Sequence, residues 1–388
     1  MKRATRTLLA TALVLGVAAG PTALSPAVAA TAPAAAATTS PDLSSVLAGL
    51  PRADATAALV RVGGTEGSWA GSAGVRDLES GAPADPGGRF RVGSVTKVFT
   101  AATVLRLAEE GRIDLDRTAR SYLPELVPGR YATVTVRQLL DHTHGIPAAD
   151  LPGETVEEWY AHRFDVHEPE ELVRAATAKP REFRPGTRQH YLNIGYTIAG
   201  LIVERVTGDA YEHQVERLVL RPLGLRDTYF PGREAGIRGP YNHGYQVMRL
   251  ADGSTGLRDV SVWRVTEAWA AGDLISTTAD LECFIRALFA GRVVRGPLLE
   301  EMFTLPKVVD FTSGAPAAYS AGLSVKKLGG REVWGKTGGR WGFNAAVSST
   351  RRGERTLVYG VNATDAKGEG MNRTALELML ATYGLPSE

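Results

Sequence analysis

Two residues three positions apart, Ser94 and Lys97, carry the first suggestion of chemistry in this 388-residue chain. They lie in Arg89-Phe-Arg-Val-Gly-Ser-Val-Thr-Lys97, which reads as a short strand turning through Gly93 into a helix that opens on Ser94. Residues three apart on a helix share a face, so the Lys97 amine can reach the Ser94 hydroxyl and supply a nucleophile with its proton partner. The amides of a first helical turn lack intrahelical acceptors and carry the positive end of the helix dipole, so an anion formed at Ser94 would be stabilised there. Serine is also a common helix N-cap, and S-x-x-K alone is a weak signal.

Two further motifs sharpen it. Tyr191-Leu-Asn193 lies 97 residues after Ser94, beyond the turn Arg184-Pro-Gly-Thr187 and just ahead of an apolar helix beginning near Tyr196. Lys336-Thr-Gly338 closes a strand near the C-terminus and is followed by Gly339. S-x-x-K, Y-x-N and K-T-G in that order are far more specific than any one alone. They are related to the S-x-x-K, S-D-N, K-T-G set of penicillin-recognising serine enzymes, with Tyr in place of the second Ser.

The elements that must position these residues can be read from the pattern. Stretches 57–62 and 68–75 flank Gly63-Gly64 and Gly67 and predict a β-hairpin. The Ser94 helix should run to about Glu110 and stop at Gly111, with Val98, Ala101, Ala102, Leu105 and Ala108 as its apolar face. Helical patterns dominate from 115 to 288; strand-like stretches then occupy 319–328, 332–336, 343–348 and 356–362, joined at Gly329-Gly330, at 338–342 and at Arg352-Gly353. A last helix is expected over 371–383. Strands at both ends of a helical middle imply an α+β fold: one antiparallel sheet flanked by N- and C-terminal helices, built from 43–112 and 290–388, with 113–289 as a mostly helical inserted domain. The cleft between the two is the expected site.

With these residues in view the chain resembles the serine β-lactamase and penicillin-binding-protein superfamily, in its class C β-lactamase and secreted D-alanyl-D-alanine carboxypeptidase branch. The resemblance covers essentially the whole mature chain. It includes the Ser94 block, Leu139-Leu-Asp-His-Thr-His-Gly145, Ala271-Gly-Asp-Leu-Ile-Ser-Thr277 and Trp334-Gly-Lys-Thr-Gly-Gly-Arg-Trp-Gly-Phe343. The Ser94 block looks most like the carboxypeptidase, whereas Lys336 is what β-lactamases carry where that peptidase has His. A β-lactamase/transpeptidase-like fold is implied.

Acyl transfer then assigns roles. Ser94 is the nucleophile and needs a base. Tyr191 as phenolate would serve if Lys97 and Lys336 lowered its pKa from ~10; Lys97 would serve if Tyr191 and burial lowered its own. Asn193 would hold the Lys97 head and hydrogen-bond a substrate amide. The oxyanion would lie between the amides of Ser94 and Gly339, with Gly338 and Gly339 leaving room for a substrate along the strand edge. Thr337 would bond a substrate carboxylate. In the resembling carboxypeptidase an arginine after a Gly-Leu-Gly-Leu strand binds the terminal carboxylate; here Gly322-Leu-Ser-Val325 is followed by Lys326, which keeps the charge without the guanidinium fork.

Residues 1–29 read as a secretory signal: Lys2, Arg3 and Arg6, an apolar run over 8–20, then Ala27-Val-Ala29. A disordered leader, 30–42, should follow. No later apolar run reaches the ~18 residues of a membrane span, so a secreted product is expected. Losing three basic residues takes the net charge of +2 to about −1, which gives no case for nucleic-acid binding. Cys283, the only cysteine, can form no internal disulfide and reads as a small core residue of an amphipathic helix. His142 and His144 have a metal-like spacing but no further ligands beside them, so no metal or other cofactor is expected. Glu168-Pro-Glu-Glu-Leu172 reads as a helix start.

The expected function is a secreted serine acyl hydrolase, foremost a D-alanyl-D-alanine carboxypeptidase acting on peptidoglycan stem peptides and acylated by β-lactam antibiotics. The same site would suit a class C-like β-lactamase, or a D-aminopeptidase or carboxylesterase acting on other D-amino-acid peptides or esters. A penicillin-sensing or wall-binding module without turnover is the rival from another class, disfavoured because such a module has no need of a base. A monomer is expected.

Overall fold

The computed structural model describes residues 42–384. The expected signal sequence and residues 30–41 of the leader lie outside them. Six strands form the main sheet: β1 (Ala55–Gly63), β2 (Trp69–Gly74), β3 (Ser324–Leu328), β4 (Arg331–Arg340), β5 (Phe343–Thr350) and β6 (Thr356–Ala363). Their order is β2-β1-β6-β5-β4-β3, every neighbouring pair antiparallel, so N- and C-terminal segments share one sheet as the sequence implied. β1 and β6 are buried almost throughout because both faces of the sheet are covered, hence their near-continuous apolar sequences.

Four longer helices are α1 (Thr96–Glu109), α2 (Ile194–Thr207), α3 (Thr278–Phe289) and α4 (Arg373–Tyr383). Every residue of α1 from Thr96 to Leu105 and of α2 from Ile194 to Val203 is buried. A helix apolar or small on all sides belongs in an interior, and the one lysine of α1 is therefore conspicuous. α3 lies against the sheet: Phe284 stacks on Phe99 with ring centroids 3.7 Å apart, and Glu282 accepts from Arg61 at 2.7 Å. α3 lies at the end of 113–289, the expected insertion, and packs on the sheet. α4 covers the opposite face, where Ala375, Leu378 and Met379 join Val60, Leu357 and Tyr359 in a second core closed by Leu43 and Leu47.

Several local expectations are corrected. A hairpin, Tyr245–Arg249 with Thr255–Asp259, interrupts the helical middle; Asp252-Gly253 is its turn signal and one face of its first strand is buried. The strand expected from Tyr319 starts at Ser324, because the Ala318 and Tyr319 amides are held by the Gln189 side chain. K-T-G does not close its strand; β4 runs on through Gly338 and Gly339 to Arg340 and turns at Trp341-Gly342. Cys283 is exposed, since Leu281, Phe284, Ile285 and Leu288 form the buried stripe of α3 and leave position 283 outside it.

Candidate active site

A backbone interlock builds the centre. Gly93, at φ +53°, turns the chain from the short strand Phe90–Arg91 into the 3-10 turn Gly93–Val95 that leads into α1. A Cβ on Gly93 would lie 2.7 Å from the Gly339 nitrogen, and one on Gly338 would lie 2.0 Å from the Val92 carbonyl and 2.7 Å from the Ser94 nitrogen. Only glycine permits this approach, which brings the Ser94 and Gly339 amides side by side. Pairing of β4 with β3 ends at Gly335, while pairing with β5 continues to Arg340. One edge of β4 from Lys336 onward is therefore uncovered by any strand next to Ser94, an edge that can take an extended peptide.

Lys97 is fully buried; its Nζ donates to Asn193 Oδ1 at 2.7 Å and to the Ala271 carbonyl at 2.8 Å, and lies 3.3 Å from Ser94 Oγ. Neither Ser94 nor Asn193 spends its side chain on capping the helix it precedes, although both types favour that role. Burial, followed by the charges of Lys336 and Arg340, holds the Lys97 amine well below the usual lysine range. A neutral amine has two protons and one lone pair. The carbonyl and the carboxamide oxygen can only accept, so they take the protons and the lone pair is left for the Ser94 hydroxyl. The site is thereby wired to draw a proton from Ser94.

Tyr191 behaves otherwise than the phenolate reading requires. Its hydroxyl is buried without a hydrogen-bond partner among the described residues, and burial, then Tyr319, pushes its pKa up against the opposing effects of Ser94 and Arg340. Both lysines near the ring, Lys97 at 5.0 Å and Lys336 at 4.6 Å from its centroid, are themselves depressed, so neither is a dependable cation to stabilise a phenolate. Tyr191 is a neutral phenol here.

Lys336 is buried, donates to the Thr337 carbonyl at 2.9 Å, and is lowered to about 7 by burial and by the charge of Lys326. Thr337 is exposed on β4. Lys326 is exposed on β3 opposite Val333, on the sheet face that Thr337 shares, and has no side-chain bond among the described residues. The structure thus brings Ser94, Lys97, Tyr191, Asn193, Lys336, Thr337, Gly338 and Gly339 to one place and sets Lys326 at its margin.

Sequence reasoning missed the Ala271 carbonyl, which has no side chain to signal it. It also missed Arg340, whose guanidinium donates to Gly272 O at 3.0 Å and to the part-buried Glu267 at 2.8 Å and so fixes the turn that presents Ala271. His142 and His144 each use Nδ1 to accept a backbone amide, from Leu192 at 3.4 Å and Ile146 at 2.9 Å. Glu168 precedes the helix Pro169–Ala178, as expected.

A buried lysine poised on a serine beside an open strand edge is the arrangement of the β-lactamase and penicillin-binding-protein superfamily. The Beta-lactamase family model matches residues 30–380, and the chain belongs to that family. Among solved structures, the D-stereospecific amidohydrolase from Streptomyces sp. superposes with a TM-score of 0.75 at 33% identity, over 89% of this chain and 99% of that one. Esterase EstB of Burkholderia gladioli is 34% identical over 194 residues, 46% of this chain and 48% of its own. Protein flp of Staphylococcus aureus is 27% identical over 220 residues, 55% of this chain and 41% of its own. The chain spans less than half the length of these last two relatives.

Proposed function

We propose that the protein is an exported serine amidohydrolase that cleaves amide bonds of D-amino-acid peptides or amides through an acyl-enzyme on Ser94. The observation that carries it is the Lys97 amine, buried, depressed and bonded to two obligate acceptors with Ser94 as its third contact. Lys97 takes the Ser94 proton as Oγ attacks the carbonyl. The Ser94 and Gly339 amides hold the oxyanion, and Asn193 holds Lys97. The neutral Tyr191 hydroxyl gives a proton to the leaving nitrogen and is resupplied from Lys97, so the net transfer is one proton from Ser94 to the amine. Water then repeats the steps in reverse and frees Ser94.

The likeness to the amidohydrolase over nearly its full length supports the D-amino-acid substrate class. A substrate running antiparallel to the open edge of β4 puts its leaving group toward Lys336 and Thr337. These two, with Lys326, favour a second and narrower reading: a D-alanyl-D-alanine carboxypeptidase acting on peptidoglycan stem peptides, with the terminal carboxylate at the lysines. Export is part of the proposal on the pattern of residues 1–29.

One assay set separates these readings. Purified protein is offered D- and L-alanine amide, an acyl-D-Ala-D-Ala peptide, an activated ester and a penicillin, with mass spectrometry for adducts. Faster release from the D-amide than the L-amide, with an adduct on Ser94, is the expected result. Preference for the D-Ala-D-Ala peptide selects the carboxypeptidase, and preference for the ester an esterase. No turnover of any substrate and no adduct would sink the enzymatic reading.

A further inference from the structure

We propose that His142 is the positioning residue for Tyr191, holding the phenol in line with Ser94 by gripping the chain on both sides of it. The inference rests on the reading of Tyr191 as the proton donor to the leaving group.

The grip consists of three contacts on consecutive residues. The backbone amide of His190 donates to the His142 carbonyl at 2.9 Å. The amide of Leu192 donates to His142 Nδ1 at 3.4 Å. Between them the Tyr191 ring lies against the His142 ring, centroids 4.5 Å apart at 44°. One residue thus holds positions 190, 191 and 192 together, 48 to 50 residues away along the chain.

The need for such a device follows from what Tyr191 lacks. Among the described residues its hydroxyl has no hydrogen-bond partner to orient it. Its ring alone must define where the proton is offered, and that ring is packed between His142 and Tyr319, the latter at 4.7 Å. His142 is in turn locked. It is buried, packed on Tyr196 and Tyr319 as well, and held at φ +63°. A left-handed conformation is uncommon for any residue with a side chain and is retained where the surroundings over-determine it. Neutrality completes the arrangement, because Nδ1 accepts a bond only if it is bare. Burial, then the charge of Lys97, holds the imidazole far below its ordinary range.

The test is a double-mutant cycle on two substrates. An amide needs its leaving nitrogen protonated, whereas a p-nitrophenyl ester does not. Misplacing a reacting group by about 1 Å costs on the order of 100-fold, so His142→Ala should lower kcat for the D-amide about 10- to 100-fold with KM within about twofold. Ester turnover should fall less than about threefold. In a Tyr191→Phe background the same substitution should change nothing further, since groups acting as a unit are non-additive.

His142→Asn is the companion variant. Asparagine tolerates the left-handed conformation and can accept the Leu192 amide, so it should fold even if Ala does not, and its kcat on the amide should fall between those of Ala and wild type. Additive losses in the Tyr191→Phe background, or equal losses on amide and ester, would overturn the inference and leave a merely structural histidine. If Tyr191→Phe itself is fully active on the amide, both the inference and the role of Tyr191 in the proposed mechanism fall.

Discussion

Lys97 Nζ lies 2.7 Å from Asn193 Oδ1, joining the first turn of α1 to the residue before α2 across 96 positions of sequence. Lys97 belongs to a buried helix and Asn193 is the exposed residue that leads into another, so the bond spans the edge of the site. It also determines which protons of Lys97 are engaged, and therefore what is left to act on Ser94. A change at Asn193 should alter the basicity of Lys97 without touching the nucleophile.

Asn193→Asp puts a carboxylate where the carboxamide stood. An opposite charge favours the protonated amine, so the Lys97 pKa rises, and the neutral fraction at any given pH falls. The acid limb of the kcat/KM profile should therefore move to higher pH, by a unit or more on the order of effects seen for close opposite charges. An unmoved limb would show that Lys97 is not the group titrating there.

Ser94→Ala should abolish covalent labelling by penicillin while leaving the fold intact. Ser94 caps no helix, so not even the ~1 kcal/mol of a lost N-cap is at stake. Intact-mass spectrometry and a thermal melt decide it; an adduct on another residue would relocate the nucleophile.

Gly338→Ala and Gly339→Ala should differ sharply. The new Cβ at 338 meets the Val92 carbonyl at 2.0 Å and the Ser94 nitrogen at 2.7 Å, both backbone, so the interlock must open. At 339 the nearest atom is the Ala366 carbonyl at 3.1 Å, on a loop that can give. The first variant should lose activity by 100-fold or more on the scale of an angstrom misplacement, the second by much less. Equal kcat/KM for the two would refute the interlock.

Lys336, at about 7, is charged below that pH and neutral above it. Substrates with a free C-terminal carboxylate should therefore bind progressively less well as pH rises through 7, whereas their C-terminal amides should not show this limb. Removing Lys326 takes away a like charge, so Lys326→Ala should move the limb to higher pH. It should also cost roughly 10- to 100-fold in kcat/KM on the carboxylate substrate, the equivalent of a charged hydrogen bond of ~1.5 to 3 kcal/mol. Equal losses on acid and amide would show that Lys326 does not read the carboxylate.

The sequence by itself determined the sheet shared by both ends of the chain, the hairpin at Gly63-Gly64, the helix from the Ser94 turn to Gly111 and the three short motifs that the fold brings together. These rest on local signals: alternation, glycine stops, and motifs whose residues are a few positions apart. The face of α3 is equally legible in the stripe of Leu281, Phe284, Ile285 and Leu288, and it is this periodicity, rather than the small apolar residue type, that leaves Cys283 outside the core. Only the tertiary structure decided which microstate the site favours. Burial depresses Lys97 and raises Tyr191 together, and burial is a property of everything packed around a group rather than of the group's neighbours in sequence. The Ala271 carbonyl, Arg340 and the His142 grip on Tyr191 were hidden for the same reason: each acts through backbone atoms or a partner tens to hundreds of residues away, where a motif of a few residues has no reach.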